Sequence, residues 1–309
     1  MNNNGYILCR PQGGLNDMLC QIEHCCRYAE KFSRTVIVDT KYEKAIHFRD
    51  RISNYFVSQQ QGLILDATEA DIEAANNSIF PYCVMGKVRD YDFHFSWDKR
   101  LYVESSTLTP LTFETHKHYP TKYLLHHTGG SGQHSICALQ RMRLHDSVVD
   151  LLIERLEAIG RDYVGIHIRN TDYETDYHNS LHELKTFENT PILVCTDSQA
   201  VLDDARAIIG EDRVISFSNL ETGEDKRIHF FTDDSLARQR NLDAIVDLLL
   251  LAFSTYLVTL PLKINKEAPQ GGYSGFSVLA GLLHNNRTTL MSIIGRQHRT
   301  LRKFAFSLI

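Results

Sequence analysis

Short apolar segments alternate with amphipathic ones near the start of the chain. Tyr6–Cys9 is an apolar run of strand length, Gly13–Gly14 is a turn signal, and apolar residues recur at helical spacing through Leu15–Ala29. The β-branched run Thr35–Asp39 follows. This order of strand, glycine-rich turn, helix and strand predicts a βαβ unit that opens an α/β domain.

The same alternation returns in the second half of the chain. Leu144–Ile159 has the spacing of an amphipathic helix and leads into the predicted strand Tyr163–Arg169. Two further apolar segments, Pro191–Cys195 and Arg213–Ser216, lie on either side of the helical segment Ser198–Ile209. Strands and helices that alternate at this spacing predict a second parallel sheet with helices on both faces.

A domain boundary is predicted where the chain is richest in glycine. The stretch His126–Gly132 has the composition of a linker, and 309 residues are enough for two domains of ordinary size. We therefore predict an N-terminal α/β lobe at 1–135 and a C-terminal lobe at 136–309. From Lys41 to Tyr123 the pattern has no sustained period, so its elements are not assigned individually.

One segment, Ala244–Leu262, is apolar enough to resemble a membrane span. It is interrupted by Asp247, by Ser254–Thr255 and by Pro261. A membrane helix needs roughly 20 consecutive and predominantly apolar residues. We interpret the segment as a buried helix followed by a buried strand.

Composition narrows the classes of function. A hydrophobic fraction of 43% and a charged fraction of 23% are those of an ordinary globular protein. The formal net charge of -5 argues against a nucleic-acid partner, because general nucleic-acid binders need a positive field. Seven unevenly spaced cysteines favour reduced thiols, and the first ten residues lack the pattern of a signal peptide. These features predict a cytoplasmic protein.

The strongest candidate for chemistry follows the first strand of the second sheet. In parallel α/β sheets, ligands lie outside the carboxyl ends of the strands. Alternation places His167 and Arg169 on one face of that strand, and Asp172 follows in the turn, where it can brace the guanidinium or reach a ribose. Arginine suits a diphosphate because its planar fork binds phosphate oxygens bidentately. The alternative is a structural Arg–Asp pair that closes the strand end.

Three other places carry polar residues at strand or helix ends. Asp197 follows a buried strand, and the local sequence favours a role as a helix cap. Asp247 lies in an apolar helix, so its carboxylate needs either a buried protein donor or a ligand. The turn Gly271–Ser277 opens a helix and offers backbone amides to an anion, although many such turns bind nothing.

Together these segments resemble the peptide motifs of the fucosyltransferase superfamily, which groups the α-1,6-, α-1,2- and protein O-fucosyltransferases. The closest pattern is that of the α-1,6 group, which includes the bacterial nodulation-factor enzymes. The resemblance leaves the region from Lys41 to Tyr123 unmatched. It rests on Gly165–Arg169 with Asp172, on Thr196–Ser198, Asp247 and Phe276–Ser277, and on the early turn Gly13–Asn16.

The resemblance implies a GT-B fold, in which two Rossmann-like lobes face a central cleft. The N-terminal lobe is then the acceptor side, and the C-terminal lobe binds GDP-fucose. Arg169 is implied to contact the diphosphate as the catalytic residue, with His167 and Asp172 supporting the nucleotide and Asp197 and Asp247 contacting ribose or guanine. Ser277 or Ser274 would donate to phosphate. The full set implied to bind the donor is Gly13, Gly14, Asn16, His167, Asp172, Asp197, Asp247, Ser274 and Ser277.

The implied reaction is an inverting transfer of fucose to a glycan hydroxyl, with no metal and no cofactor. Two alternatives stay open: a transferase of this architecture that uses another nucleotide sugar, and a catalytically silent nucleotide-sugar-binding protein. Where many relatives carry a second arginine, this chain has Asn170–Thr171, a departure that bears on acceptor linkage more than on donor binding. The general base is not assigned beyond the acidic residues of the N-terminal lobe.

The C-terminal tail, Ile293–Ile309, interleaves basic with apolar residues. A basic amphipathic helix can rest on an anionic membrane surface, which would suit a lipid-linked acceptor and a peripheral location at the inner face of the membrane. The alternative, which we favour, is a helix that packs back on the protein with its charges solvated.

Several other patterns point weakly to different chemistry. Asp90–Asp92 matches the Asp-x-Asp signature of metal-dependent glycosyltransferases, but so short a match favours a solvated loop. The histidine-rich stretch from His116 to His134 and the pair Cys20 and His24 lack zinc spacing. The chain has no Gly-x-Gly-x-x-Gly, phosphate-loop or Gly-x-Ser-x-Gly motif, which argues against a dehydrogenase, a kinase and an esterase.

Overall fold

The computed structural model describes residues 5–130, 132–217, 220, 234–264 and 272–306. Ser131 and Gly271, which belong to two of the glycine-rich stretches above, lie outside the described residues. The chain divides into two compact units, Met1–His145 and Asp146–Ile309.

The second unit begins at Asp146, later than the boundary predicted at residue 136. The intervening residues stay with the first unit because they pack there. A short helix, Ser135–Leu139, lies against the first helix of the chain, and the strand Met142–Leu144 pairs with Phe56–Ser58. Long-range pairing of this kind leaves no signal in local composition.

The first unit is built around a parallel sheet. Its described strands are β1 (Tyr6–Cys9), β2 (Thr35–Val38), β3 (Phe56–Ser58), β4 (Leu63–Ile64), β5 (Ile79–Phe80), β6 (Phe93–Ser96), β7 (Leu101–Glu104), β8 (Tyr123–His126) and β9 (Met142–Leu144). Five of these strands lie in the order β4-β2-β1-β8-β5, while β3 pairs antiparallel with β9 and β6 with β7.

Helices cover the sheet of the first unit. They are α1 (Leu15–Phe32), α2 (Glu69–Asn77) and α3 (Ser135–Leu139), with short 3-10 turns at Ile52–Asn54 and Tyr82–Val84. Helix α1 ends at Ser33, which adopts a left-handed conformation with φ of 52°. Helix α2 begins with a capping box, in which Thr68 and Asp71 satisfy each other's backbone amides.

The second unit repeats the plan with a smaller sheet. Its described strands are β10 (Val164–Ile168), β11 (Ile192–Thr196), β12 (Val214–Ile215) and β13 (Tyr256–Thr259). They lie in the order β12-β11-β10-β13, and each neighbouring pair is parallel. The helices are α4 (Asp146–Ile159), α5 (His178–Lys185), α6 (Gln199–Ile209), α7 (Asp234–Phe253), α8 (Gly275–His284), α9 (Arg287–Ile294) and α10 (Arg299–Phe306).

The α/β class and both parallel sheets predicted from the alternation are confirmed. The segment Ala244–Leu262 contains the end of α7 and all of β13, so the helix-then-strand interpretation is confirmed. The strand is not fully buried as predicted, because it lies at the edge of the described sheet and Tyr256 is 60% exposed. None of the described helices is both long and apolar enough to cross a membrane.

Gly165 allows helix α7 to lie close against strand β10. A Cβ atom at this position would come within 3.1 Å of the Leu251 and Ser254 side chains. The hydroxyl of Tyr163, just before the strand, donates to the Leu250 carbonyl oxygen at 2.6 Å. These contacts hold strand β10, which carries His167 and leads into Arg169, against the longest described helix of the unit.

The C-terminal tail packs against helix α4 within the second unit. Lys303 Nζ donates to the Gly160 carbonyl oxygen at 2.6 Å, and Thr300 Oγ1 donates to Glu157 at 2.7 Å. Phe304 is buried, with its ring centroid 5.9 Å from that of Tyr163. The described part of the tail therefore packs on the protein, as the favoured alternative predicted.

All seven cysteines are free thiols, in agreement with the expectation of reduced cysteines. Five of them are buried, and Cys9, Cys25 and Cys26 lie at the interface of strand β1 with helix α1. Burial raises the pKa of Cys26 to about 12. Such a thiol stays protonated near neutral pH, so it is a packing residue and not a nucleophile.

Candidate functional site

Most of the predicted donor residues of the second unit meet at the carboxyl edge of its sheet. Strands β10 and β11 are parallel neighbours in which Ile168 pairs with Thr196, so their carboxyl ends share one edge. Arg169 follows β10 directly, and Asp197 follows β11. The residues that the structure brings together here are His167, Arg169, Asp172, Asp197, Ser274 and Ser277.

The Arg169 guanidinium is held by two carboxylates. Its Nε and Nη2 atoms lie 2.7 and 2.6 Å from Asp172 Oδ1, and Nε lies 3.0 Å from Asp197 Oδ2. Asp172 therefore braces the guanidinium, the first of the two roles predicted for it. The Nη1 atom has no acceptor among the described residues, and the Arg169 side chain is 22% exposed. One edge of the fork is fixed to the protein, and the other is available to a ligand.

Asp197 does not cap helix α6, although its local sequence had favoured that role. Its Oδ1 atom accepts from the Asn170 backbone N–H at 2.8 Å, and its Oδ2 atom accepts from the Thr171 hydroxyl at 2.6 Å. The residue at the cap position, Ser198, makes no side-chain cap bond. The carboxylate turns to the neighbouring strand end because a guanidinium and two donors there offer stronger bonds than one helix amide.

His167 is buried and uncharged. Its Nδ1 atom lies 2.7 Å from Ser277 Oγ, and its ring centroid lies 4.7 Å from that of Phe276. Burial, together with the nearby charge of Arg169, lowers the pKa of His167 to about 3. The imidazole therefore adds no positive charge near neutral pH, and it acts through hydrogen bonds.

The hydrogen-bond chain around His167 is compatible with a ring proton on Nε2. Ser274 Oγ donates to Ser277 Oγ at 3.1 Å, which leaves the Ser277 hydroxyl proton free to point at His167 Nδ1. When Nδ1 accepts, the ring proton sits on Nε2, where it can be donated to a ligand oxygen. Ser274 also caps helix α8 by accepting from the Ser277 backbone N–H at 3.1 Å.

The Asp247 carboxylate has a buried protein partner. Its Oδ1 atom is 3.2 Å from Nη1 of the buried Arg155, and the other end of that guanidinium pairs with Asp243. The Arg155 guanidinium also lies over the Phe217 ring, 5.2 Å from its centroid. Of the two partners predicted for the Asp247 carboxylate, a buried protein donor or a ligand, the structure shows the protein donor, Arg155. Its contact with ribose or guanine stays a prediction.

The three predicted residues of the early turn lie in the first unit. Gly13 has φ of +103°, and a Cβ atom there would come within 2.6 Å of Asp17 Oδ2, so only glycine fits. Gly14 is the residue before helix α1 and provides no side-chain cap. Asn16 is buried, donates to the Gly132 carbonyl oxygen at 3.3 Å and accepts from the Ser135 hydroxyl at 2.6 Å. Its contacts tie α1 to α3, and a role in donor binding stays a prediction.

The Asp90–Asp92 segment is occupied by interactions within the protein. Lys44 Nζ lies 2.6 Å from both the Asp90 carbonyl oxygen and Asp92 Oδ1. The Tyr91 hydroxyl is 2.6 Å from Nδ1 of the buried His127. Across the described ranges, no three His, Cys, Asp or Glu side chains are grouped as a metal site would require.

A second polar cluster, which was not predicted from the sequence, lies at the carboxyl edge of the first sheet. Arg10 follows β1 and is 1% exposed, and its Nε atom donates to Asp39 Oδ2 at 2.8 Å. Asp39 follows β2, which is the neighbour of β1 in the sheet. The sequence pattern that could have predicted this cluster is the one that predicted the site of the second unit, namely a charged residue directly after a short apolar strand.

The comparisons with known proteins give a likeness of fold. No family model and no curated protein sequence matches the chain. Among solved structures, the fucosyltransferase NodZ from Bradyrhizobium matches with a TM-score of 0.57 at 17% identity, covering 92% of this chain and 94% of that one. NodZ α-1,6-fucosyltransferase co-crystallised with GDP matches with a TM-score of 0.55 at 18% identity, covering 92% and 93%. The predicted GT-B fold class is thereby confirmed.

Proposed function

We propose that this chain, which shares its fold with fucosyltransferase NodZ, transfers fucose from GDP-fucose to a hydroxyl of a glycan. The observation that carries the proposal is the Arg169 guanidinium, which is fixed by Asp172 and Asp197 at the carboxyl edge of β10 and keeps Nη1 uncommitted within the described residues. A donor held in this way places its diphosphate where parallel α/β sheets bind nucleotides. The fold likeness includes a NodZ structure soaked with GDP-fucose.

Directional bonds, and not a strong positive field, would hold the diphosphate. Arg169, Asp172 and Asp197 together carry one positive and two negative formal charges. Nη1 of Arg169 would donate to a phosphate oxygen, and Nε2–H of His167 offers a second donor from a neutral ring. The first backbone amides of α8, at Gly275 and Phe276, belong to the helix end that favours anions.

The proposed chemistry is an inverting displacement without a metal or a cofactor. The acceptor oxygen bonds to the anomeric carbon as the bond from that carbon to the GDP oxygen breaks, and the acceptor proton passes to a base. Negative charge grows on the leaving diphosphate, and a preorganised guanidinium in a shielded site stabilises it. Arg169 is the residue that we place against this charge.

The acceptor is proposed to be a glycan, with a lipid-linked glycan as one form. The described part of the basic tail already uses Lys303 and Thr300 in contacts with the protein. A membrane contact would therefore involve only charges on the outer side of α10. Vesicle co-sedimentation with and without anionic lipid would measure any such contact.

A nucleotide panel with a transfer assay tests the proposal. We expect GDP to raise the melting temperature more than UDP, TDP or ADP, and we expect transfer to continue in excess chelator. Arg169→Ala should abolish transfer, whereas Arg206→Ala, an exposed arginine on α6 that is also near an aspartate, should not. Stabilisation by another nucleotide would favour a different donor. GDP binding with neither transfer nor donor hydrolysis would favour a silent binding protein, and metal-dependent transfer would refute the metal-free mechanism.

A further inference from the structure

A polar pocket lies beside the cluster of Arg10 and Asp39 in the first unit. It has a volume of about 320 Å³ and is lined in part by the residues that follow strands β1 and β2. Pockets for small molecules range from about 300 to 1,000 Å³, so this one suits a single small ring. The donor cluster of the second unit does not use any of its lining residues.

One oxygen of a buried carboxylate in this pocket has no donor. The Asp39 side chain is 9% exposed, and its Oδ2 atom accepts from Arg10 Nε at 2.8 Å. Within the described ranges, no group donates a hydrogen bond to Oδ1. Oδ1 is not among the described buried polar atoms that lack a partner, so it is accessible from the pocket and can accept from a hydroxyl or amide brought by a ligand.

The groups around Asp39 hold it rigidly. Arg10 also donates from Nη1 to the Val88 carbonyl oxygen at 2.7 Å, and its guanidinium lies 4.4 Å from the centroid of the Tyr42 ring. The same guanidinium lies 5.5 Å from the Tyr91 ring centroid. The Arg10 guanidinium and the two aromatic rings therefore fix the position of the carboxylate, so a ligand would bind to a preorganised acceptor.

The charge balance of the pocket favours an uncharged ligand. Four lysine or arginine side chains and four aspartate or glutamate side chains line it, so their formal charges cancel. Val38, Ala67 and Ile72 add an apolar wall. A sugar ring offers hydroxyls to charged groups of both signs and C–H faces to apolar ones, so it matches this mixed lining.

We propose that this pocket binds a neutral sugar ring, one of whose hydroxyls donates to Asp39 Oδ1. Only the identification of this sugar as part of the acceptor rests on the proposed transferase function. The binding itself requires no donor and no transfer.

The test is saturation-transfer-difference NMR on the full chain with a mixture of neutral pyranoses: glucose, galactose, mannose and N-acetylglucosamine. Glucuronate and glucosamine serve as the anionic and cationic comparisons. We expect saturation transfer to at least one neutral pyranose, and Asp39→Asn should weaken its binding at least about tenfold, because a hydrogen bond to a charged group is lost. Asp203→Asn, an exposed aspartate of the second unit, should change nothing.

A second variant keeps the test decisive if Asp39→Asn unfolds the first unit. Ala67→Phe fills the pocket while leaving the Arg10–Asp39 pair intact, and Ala70→Phe on the exposed side of helix α2 is its matched control. Loss of saturation transfer in Ala67→Phe but not in Ala70→Phe supports the proposal. Equal transfer in both variants, no transfer to any neutral pyranose, or preference for glucuronate or glucosamine overturns it. GDP thermal shifts of the same variants report separately on the proposed donor site.

Discussion

The pairing of Arg169 with Asp197 predicts that stability and nucleotide binding can be separated. The Asp197 side chain is 6% exposed, and its Oδ2 atom lies 3.0 Å from Arg169 Nε. Arg169→Ala leaves this buried carboxylate without its cation, and the loss of one charge-assisted bond destabilises by about 1.5–3 kcal/mol. Adding Asp197→Asn removes the charge that needed a partner. We expect the double variant to be more stable than Arg169→Ala alone.

Nucleotide binding should not recover with stability. The Nη1 atom of Arg169 is the donor that we place on the diphosphate, and neither variant has it. Loss of one hydrogen bond to a charged group, about 1.5–3 kcal/mol, weakens GDP binding by about 10- to 150-fold. Arg169→Ala and the double variant should therefore share the same weak affinity.

Two measurements on matched variants check this separation. Chemical unfolding, with hydrogen exchange to follow the second unit, gives the free energy of unfolding, and calorimetric titration gives the affinity for GDP. The exposed pair of Arg206 with Asp203, 3.9 Å apart, is the control, and its single and double variants should change neither quantity by much. Wild-type affinity for GDP in the double variant would show that Arg169 serves the scaffold alone. Additive effects on stability would show that the two residues are not coupled.

Two further predictions concern strand β10. The pKa of His167 is lowered to about 3 in the folded protein and is near 6.5 in the unfolded chain. Between these two values only the unfolded chain binds the proton, so the stability of the fold decreases as the pH decreases. Between pH 7 and pH 5 the wild type should lose about 2 kcal/mol more than His167→Asn in urea unfolding, and equal losses would contradict a neutral buried imidazole. Gly165→Ala should destabilise the second unit by about 1–3 kcal/mol in the same assay, because the added Cβ would lie 3.1 Å from the Leu251 and Ser254 side chains. An unchanged urea midpoint would show that α7 shifts without cost.

Local patterns predicted the second half of the chain better than the middle. Strands β10 and β11 and helix α6 each fall within a residue or two of their predicted bounds, because each has a clear apolar period. Helix α5 was missed because only Leu181 and Leu184 of its eight residues are buried. In the region after Lys41, the short strands β3 and β5 pair with β9 and β8, which lie far along the chain. No window of local sequence contains such partners.

The candidate site was predicted in its residues and only partly in its contacts. The rule that ligands lie at carboxyl ends of parallel strands located His167, Arg169 and Asp197 from sequence alone. The local sequence favoured a helix cap for Asp197, because the nearest donors along the chain are the first amides of the next helix. The true donors, at Arg169, Asn170 and Thr171, belong to the neighbouring strand end.

The sequence by itself determined the alternation of strands and helices, the parallel sheets and the placing of charged residues at strand ends, because these features depend on neighbours in the chain. Only the tertiary structure decided which charges pair: Arg169 with Asp197, Arg155 with Asp247, and Arg10 with Asp39. The pocket beside Asp39 likewise depends on the tertiary structure, because segments that are apart in the sequence line it. The physical reason is that ion pairing and cavity shape depend on distance in space, which sheet order sets and local periodicity does not contain.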